Sequence, residues 1–570
     1  MQASPLPHDA SRIPELTCDE TRPACQRCTR FGRVCDGYDV DRPKQDAPAV
    51  TSSFVKYRPL LKKPVALITK QPAAQVYGNN DEFQSFRLYC EDVAPRLAGE
   101  MQAQLWSRLL LQASQDQPYI RNAIFAIGAL SKTHRGGGVG AYRYKTIGTG
   151  DTELALQQYH SFALQHYDKF LRGVRENITD DEAGRRMAMI ACILVVCIET
   201  LQNHSQAAFF HSRAGIDLMH DWLSRRPTPA SEIREGGGAQ PNGRKLLPGI
   251  ASPAPQIVED ELVQQFSRME IQHLVQFDLR TPERHARLKH EGSTSIKLMP
   301  TEFTNTQEAM HFMDLIRRRT YHFMSEILLN QYSTARRRDS LVNFRDHEVY
   351  QRDEIINFSF QRVIVPEEIQ VEREMYASEN RRWAQAFEPL YRSIDTGGSH
   401  REKIRAKLLK IHSLALPVRL AGHLAASELI YDQYLPEFRQ MLALGEAVLD
   451  HPDLFVEGSF SFDMGITYDF STIGMSCRDR TLRRRALALL NRKSWREGPF
   501  GSKTVADMAT CIMEIEEKAA DTEYIPEQAR VKLTNINVDV AKRNVTLTLL
   551  QGSGENARMI TALRDWSEMY

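Results

Sequence analysis

The sequence predicts an all-α protein: a large helical domain closing on a small C-terminal β-hairpin, preceded by a short cysteine-rich segment and a disordered linker. Three observations predict it. Apolar residues recur at helical spacing from about residue 80 onward, and strict alternation is strong only near the end. Between them and the cysteines, Pro43, Pro48, Pro59, Pro64 and Pro72 interrupt any helix over 41–80.

Residues 18–35 hold Cys18, Cys25, Cys28 and Cys35 in the order C-x6-C-x2-C-x6-C. Zinc takes four tetrahedral thiolates at short, loop-compatible spacings, and Cys25-x2-Cys28 is the usual chelating pair. Pro23, Gly32 and Gly37 supply the turns between ligands. Disulfides are the alternative, and the remaining cysteines weigh against it. Cys90, Cys192, Cys197, Cys477 and Cys511 are scattered, mostly through apolar patterns, as buried thiols of a reducing compartment are.

Other bounds follow from composition. With 42% hydrophobic and 25% charged residues in 570, the chain can bury a large core. Its formal net charge is +1, so any nucleic-acid contact must be local. The opening "MQASPLPHDASRIPEL" has no apolar stretch of the kind that directs secretion. The longest apolar run, residues 187–198, is well short of the ~20 residues a membrane span needs and predicts a buried helix and no membrane partner.

The helical elements follow in order. Ile120, Ala123, Ile124 and Ile127 lie at i, i+3, i+4, i+7 behind Pro118, and Tyr159, Phe162, Ala163, His166 and Phe170 repeat the pattern. Residues of about 224–256, with six prolines and a triple glycine, predict a disordered insertion. Stripes resume with Val258, Leu262 and Phe266, then Ile404, Leu408, Ile411 and Ala415. Leu482, Ala486, Leu489 and Leu490 come next, followed by Val505, Met508, Ile512 and Ile515. Ile536, Val538 and Val540, then Val545, Leu547 and Leu549, alternate around Lys542-Arg543-Asn544 and predict the hairpin.

The stretch "CDETRPACQRCTRFGRVCDGY" resembles the second half of the fungal binuclear zinc cluster, the six-cysteine DNA-binding module of fungal transcription factors. That motif reads C-x2-C-x6-C, a loop, then C-x2-C-x6-8-C. Cys18 falls on its third cysteine, Cys25 on the fourth, Cys28 on the fifth and Cys35 on the sixth, and Asp19, Pro23, Gly32 and Tyr38 also match. "YCEDVAPRLAGE" (89–100), "LWSRLLLQASQDQPYIRNAIFAIGALS" (105–131), "CRDRTLRRRALALL" (477–490) and "REGPF" (496–500) resemble the regulatory domain of the same factors. The resemblance implies a partial zinc-cluster module over 1–40, the linker over 41–80 and a helical regulatory domain over 81–570. It implies zinc as cofactor and a nuclear location. Promoter DNA, the transcription machinery and a possible dimer partner are the implied partners, with Arg22, Arg27 and Arg30 as weak DNA contacts.

Here the sequence departs from the family. The motif's first two cysteines and its basic helix should precede Cys18, where "MQASPLPHDASRIPELT" stands with Arg12 as its one basic residue. So sharp an edge predicts a misplaced start codon or exon junction, with promoter binding expected once the cluster is completed upstream. Residues 1–45 carry seven basic and seven acidic side chains, so the segment as written should bind DNA poorly. The alternative is a helical interaction protein that has lost direct DNA contact. No sustained heptad follows the cysteines, so no coiled-coil dimer is expected.

Three sharper readings compete with plainer ones. The basic run 477–497 could be a nucleic-acid patch or import signal, but reads better as a solvated helix face. His204 and His211 near Glu199 lack the i, i+4 spacing of a helical ligand pair. Gly552-x-Gly554-x-x-Ala557 follows a strand and precedes a possible helix, yet too little chain remains for a dinucleotide-binding unit. No nucleophile elbow or Walker loop appears, and an enzyme is not expected.

Overall fold

Helix α1 (Asn80–Leu88) begins where Asn79 caps it: its side chain accepts the Glu82 N–H at 2.9 Å, and Glu82 accepts the Gly78 N–H in return. Here starts the region that the computed structural model describes, residues 77–99, 104–135, 149–225, 250–339, 366–551 and 558–565. Within it 540–543 and gaps of one to three residues are left out; Gln26 and Arg30 are described besides. The chain divides into two compact units, Met1–Ala73 and Ala74–Tyr570, and the second is mostly helical.

Helix α1 continues through a π-turn (Tyr89–Val93) into Ala94–Leu97. A second π-turn (Leu105–Leu109) leads into α2 (Leu110–Asp116), followed by α3 (Pro118–Arg135) and α4 (Thr149–Asn177). Ile120, Ala123, Ile124 and Ile127 are fully buried on α3, as their spacing predicts. There α1 and α3 touch at Gly128, where a Cβ would sit 2.0 Å from the Ser85 carbonyl oxygen, so only glycine lets the two backbones meet. Helix α5 (Glu182–Leu201) starts at an Asp181 cap and buries most of the long apolar run. Among the described residues no helix is long and apolar enough to cross a membrane.

Helix α6 (Ser205–Arg225) runs into the segment expected to be disordered, and residues 250–256 beyond it also belong to the fold. Ala254 is buried, and Ser252 accepts a hydrogen bond from Trp222 Nε1 at 3.1 Å. Of the insertion expected over about 224–256, Ser252 and Ala254 are buried and Pro253 and Pro255 half-buried; residues 226–249 lie outside the described residues.

The array continues with α7 (Asp260–Leu274), α8 (Pro282–Leu288), α9 (Ser293–Lys297) and the 34-residue α10 (Thr306–Asp339). Next come α11 (Glu367–Gly397), α12 (His400–His423) and α13 (Leu435–Leu449). The last helices are α14 (Thr467–Ser476), α15 (Arg480–Asn491) and α16 (Ser502–Lys518). Each mostly packs on its neighbours in sequence, with α10 touching α7, α8, α11 and α12.

Two sheets complete the unit. A small mixed sheet, which no periodicity announces, joins β1 (Ser459–Ser461), β2 (Trp495–Glu497) and β3 (Phe500–Gly501). It carries Phe460 and Phe462 into the core of the first helices, where Phe462 stacks on Trp106 at 4.9 Å. At the end, β4 (Val531–Asp539) and β5 (Asn544–Gln551) form the expected hairpin, with Ile536 opposite Leu547 and Val538 opposite Val545. A third strand, β6 (Arg558–Asp565), adds antiparallel to β5. A strand therefore stands where a helix was possible after Gly552-x-Gly554; residues 552–557 lie outside the described residues.

Candidate functional site: a buried arginine, glutamate and histidine centre

Three consecutive arginines, Arg317, Arg318 and Arg319, lie buried in the middle of α10. Successive helical residues point about 100° apart, so each reaches a different neighbour. Arg318 donates from Nε to Glu270 Oε2 on α7 at 2.5 Å. Arg319 donates to Glu379 on α11 at 2.8 and 3.2 Å and to the Glu291 carbonyl at 3.1 Å. Arg317 reaches Met464 Sδ at 3.3 Å, on the chain that leads into α14. One tripeptide thus fixes the hub helix against two others and against the segment that leads into α14.

Glu270 is the centre. Its carboxylate has no exposed surface and is met by Arg318, Arg280, His220 Nε2 at 2.7 Å and His322 Nε2 at 3.5 Å. Burial pushes the carboxyl up, but Arg318, His220, Arg280 and His322 together hold it well below the usual carboxylate range. His322 Nδ1 lies 2.9 Å from His285 Nδ1. One ring therefore donates to the other, and the Nε2 of each is buried without a hydrogen-bond partner in the structure. Burial lowers both histidines, His285 to about 4, so the pair is neutral.

Further polar groups surround this centre. Arg268 on α7 pairs with Asp314 at 2.8 Å and Asp463 at 2.9 Å. On α10, His311 is buried with neither ring nitrogen hydrogen-bonded, and burial lowers it to about 4. Elsewhere, Glu497 of "REGPF" is buried and caps the start of α14. It accepts the Gly465, Ile466 and Thr467 N–H groups at 3.0 Å each and Trp495 Nε1–H at 2.8 Å. Burial pushes its carboxyl up to about 7.

In the basic run of residues 477–497, Arg484 and Arg492 lie on an exposed face opposite the buried Leu482, Ala486 and Leu489, as the solvated-face reading expects, but the run does more than meet solvent. Arg483 is fully buried and pairs with Glu516 of α16 at 2.5 Å. Glu516 also receives Arg530 at 2.8 Å and the Val531 N–H at 2.9 Å, which ties β4 to the helices. Arg478 holds Asp432, Arg485 holds Glu446, Arg492 holds Asp450 at 2.8 Å, Arg484 holds Glu517, and Arg496 donates to the Thr200 carbonyl at 3.1 Å. The run is also a staple, part buried and part exposed, whose carboxylate partners lie 33 to 46 residues away where a local reading does not find them.

The sequence-derived ligands fall elsewhere. Cys18, Cys25, Cys28, Cys35, Arg22 and Arg27 lie outside the described residues, and Arg30 is helical and exposed. Glu199 is engaged by Tyr167 Oη–H at 2.5 Å and His204 Nδ1 at 2.8 Å, while His211 is exposed. Among the described residues no group of three or more histidine, cysteine, aspartate or glutamate side chains could hold a metal ion. The five described cysteines are free; burial raises Cys192 and Cys477 to about 11, and it raises Cys197 as well. The Glu270 centre was missed because charge was read as surface. The available signal was Arg317–Arg319 set among Met313, Ile316, Tyr321 and Phe323, apolar neighbours on both sides of the charged tripeptide.

Two characterised proteins are similar to this chain. The aspercryptin biosynthesis cluster-specific transcription regulator atnN of Emericella nidulans is 28% identical over 225 residues, 36% of this chain and 33% of that protein. The transcription regulator lscL of Purpureocillium lilacinum is 24% identical over 228 residues, 38% of this chain and 49% of that protein. The chain spans about a third and about half of the length of these relatives. No family model and no solved structure matches. The relatives support a fungal transcription factor, and transcription regulators are not enzymes.

Proposed function

We propose that this chain is a nuclear, zinc-dependent transcription regulator that contacts promoter DNA through its cysteine module. Its helical unit controls that activity. The single observation that carries the reading is the similarity to two fungal transcription regulators, and the spacing of Cys18, Cys25, Cys28 and Cys35 supplies the donor set for zinc. Arg22, Arg27 and Arg30 are the contacts to DNA. Among the described residues, the Glu270 centre joins four helical segments through buried charges. An effector that displaced one of them would change how the hub helix sits.

The experiment is a mobility-shift selection on sheared genomic DNA using this chain, with and without a zinc chelator. The reading expects weak recovery of fragments from upstream regions, lost with chelator and lost in Cys25→Ser/Cys28→Ser. Zinc analysis should find about one ion per chain, released by the same pair of substitutions. No zinc and no recovered DNA would sink it. The equal basic and acidic count of residues 1–45 favours a second reading, a regulator that acts by pairing with an intact DNA-binding factor. That reading expects promoter occupancy in cells to depend on the other factor.

A further inference from the structure

Three stretches singled out in the sequence, residues 89–100, 105–131 and 496–500, all reach one short segment, 459–463. From the first, the Leu97 carbonyl accepts the Phe462 N–H at 3.4 Å, and Gly99 turns with φ +54° against Asp463 and Ser461. A Cβ there would lie 2.6 Å from Asp463 Oδ2, so the approach requires a glycine. From the second, Trp106 stacks on Phe462, and its carbonyl accepts Tyr89 Oη–H at 3.2 Å, which ties the two π-turns together. From the third, the Gly498 N–H donates to the Ser461 carbonyl at 2.8 Å while β2 pairs with β1.

Two α7 side chains hold the same segment. Gln272 Nε2–H donates to the Phe462 carbonyl at 2.7 Å. Arg268 donates to Asp463 at 2.9 Å and to Asp314 of α10 at 2.8 Å, so one guanidinium joins the segment to the hub helix. One turn before that pair, Gln265 on α7 and His311 on α10 are buried with no side-chain polar atom hydrogen-bonded in the structure, and Trp106 Nε1 is in the same position. Buried polar groups without partners raise the free energy of the closed arrangement, so this junction opens at lower cost than the apolar cores beside it.

We propose that residues 459–463 are a coupling joint, through which the two π-turns and the first half of α10 open and close as one unit. Asp463 is its positioning residue: it carries the one charge of the segment and receives the arginine that also holds α10. The joint deepens the reading that the helical unit controls the cysteine module and rests on it, since α1 and the π-turns are the part of that unit that follows residues 41–80 in the chain.

Hydrogen–deuterium exchange of the full chain, read by mass spectrometry, tests this. Asp463→Asn should speed exchange at least about tenfold both in residues 89–99 and 105–109 and in residues 306–320, with α13 and α15 unchanged. Gly498→Ala, which lies in neither region, should give the same two-sided pattern by displacing Gln272. Ser461→Ala removes the acceptor of the Asp463 N–H at 3.0 Å and should repeat the pattern more weakly, so the test holds even where Asp463→Asn does not fold. Faster exchange confined to 459–463 and 495–501, a response on one side only, or a uniform rise along the chain would overturn the joint. Exchange is read without DNA or zinc, so this result stands apart from that of the mobility-shift selection.

Discussion

Glu270 has four nitrogen-bearing side chains around one carboxylate and no exposed surface. Removing one member of such a set leaves the other charges buried without their partner, which typically costs about 3–5 kcal/mol, whereas removing both ends of a pair costs far less than the sum. We expect Glu270→Leu to destabilise by about that amount and Glu270→Leu/Arg318→Met to recover part of it, as urea denaturation would show. His311 makes the opposite case. Its ring nitrogens have no hydrogen bond in the structure, so His311→Leu should be neutral or stabilising by about 1 kcal/mol at pH 7. Marked destabilisation would mean that the ring has a partner.

The pH dependence follows from the same burial. His166, His273, His285 and His311 are each lowered to about 4, so folding excludes protons that the unfolded chain takes up below about 6.5. Their contribution is full above that pH and is lost as pH falls toward 4. Glu497, raised to about 7, works the other way: its contribution is present at acid pH and lost as pH rises through 7. His322, His412 and His423 are lowered as well, so the histidines outweigh the one raised carboxyl and stability should fall as pH drops from 6.5 toward 4. The urea midpoint against pH measures the slope, and His311→Leu should flatten it.

Among the elements, α15 separates a buried arginine from exposed ones within one turn. Arg483→Leu removes one of the two arginines that hold the buried Glu516 and should destabilise clearly, by less than the about 3–5 kcal/mol of a fully unpaired buried charge because Arg530 remains. Arg484→Leu, on a half-exposed pair, should cost about 0–1 kcal/mol. If the run bound DNA, neutralising Arg484, Arg485 and Arg492 together would weaken binding to any duplex. The staple expects unchanged anisotropy titrations.

These elements also show what the sequence made legible. The stripes at Ile120–Ile127, Ile404–Ala415 and Leu482–Leu490 were readable because one face of each helix is apolar and the other is not. The β4–β5 hairpin was readable because its alternation is strict. Strand β6, "RMITALRD", alternates no better than a helix would, since its outward face is itself apolar. The short strands of the first sheet are held by pairing across more than thirty residues, from Ser459 to Trp495, and no local pattern announces that. The buried arginines stayed hidden for the same reason, their partners being distant in sequence.

At the scale of the whole molecule, a helical unit tied together by buried charge pairs accompanies a cysteine module with the spacing of a zinc ligand set. Two transcription regulators are similar to part of this chain. The measurement that tests the central claim most directly is transcript profiling in a strain lacking the gene, complemented with the intact chain or with Cys25→Ser/Cys28→Ser. The account predicts that a defined set of genes changes on deletion, returns with the intact chain and does not return with the double variant. Unchanged transcripts on deletion would contradict regulation of transcription, and full rescue by the double variant would contradict the role assigned to the cysteines.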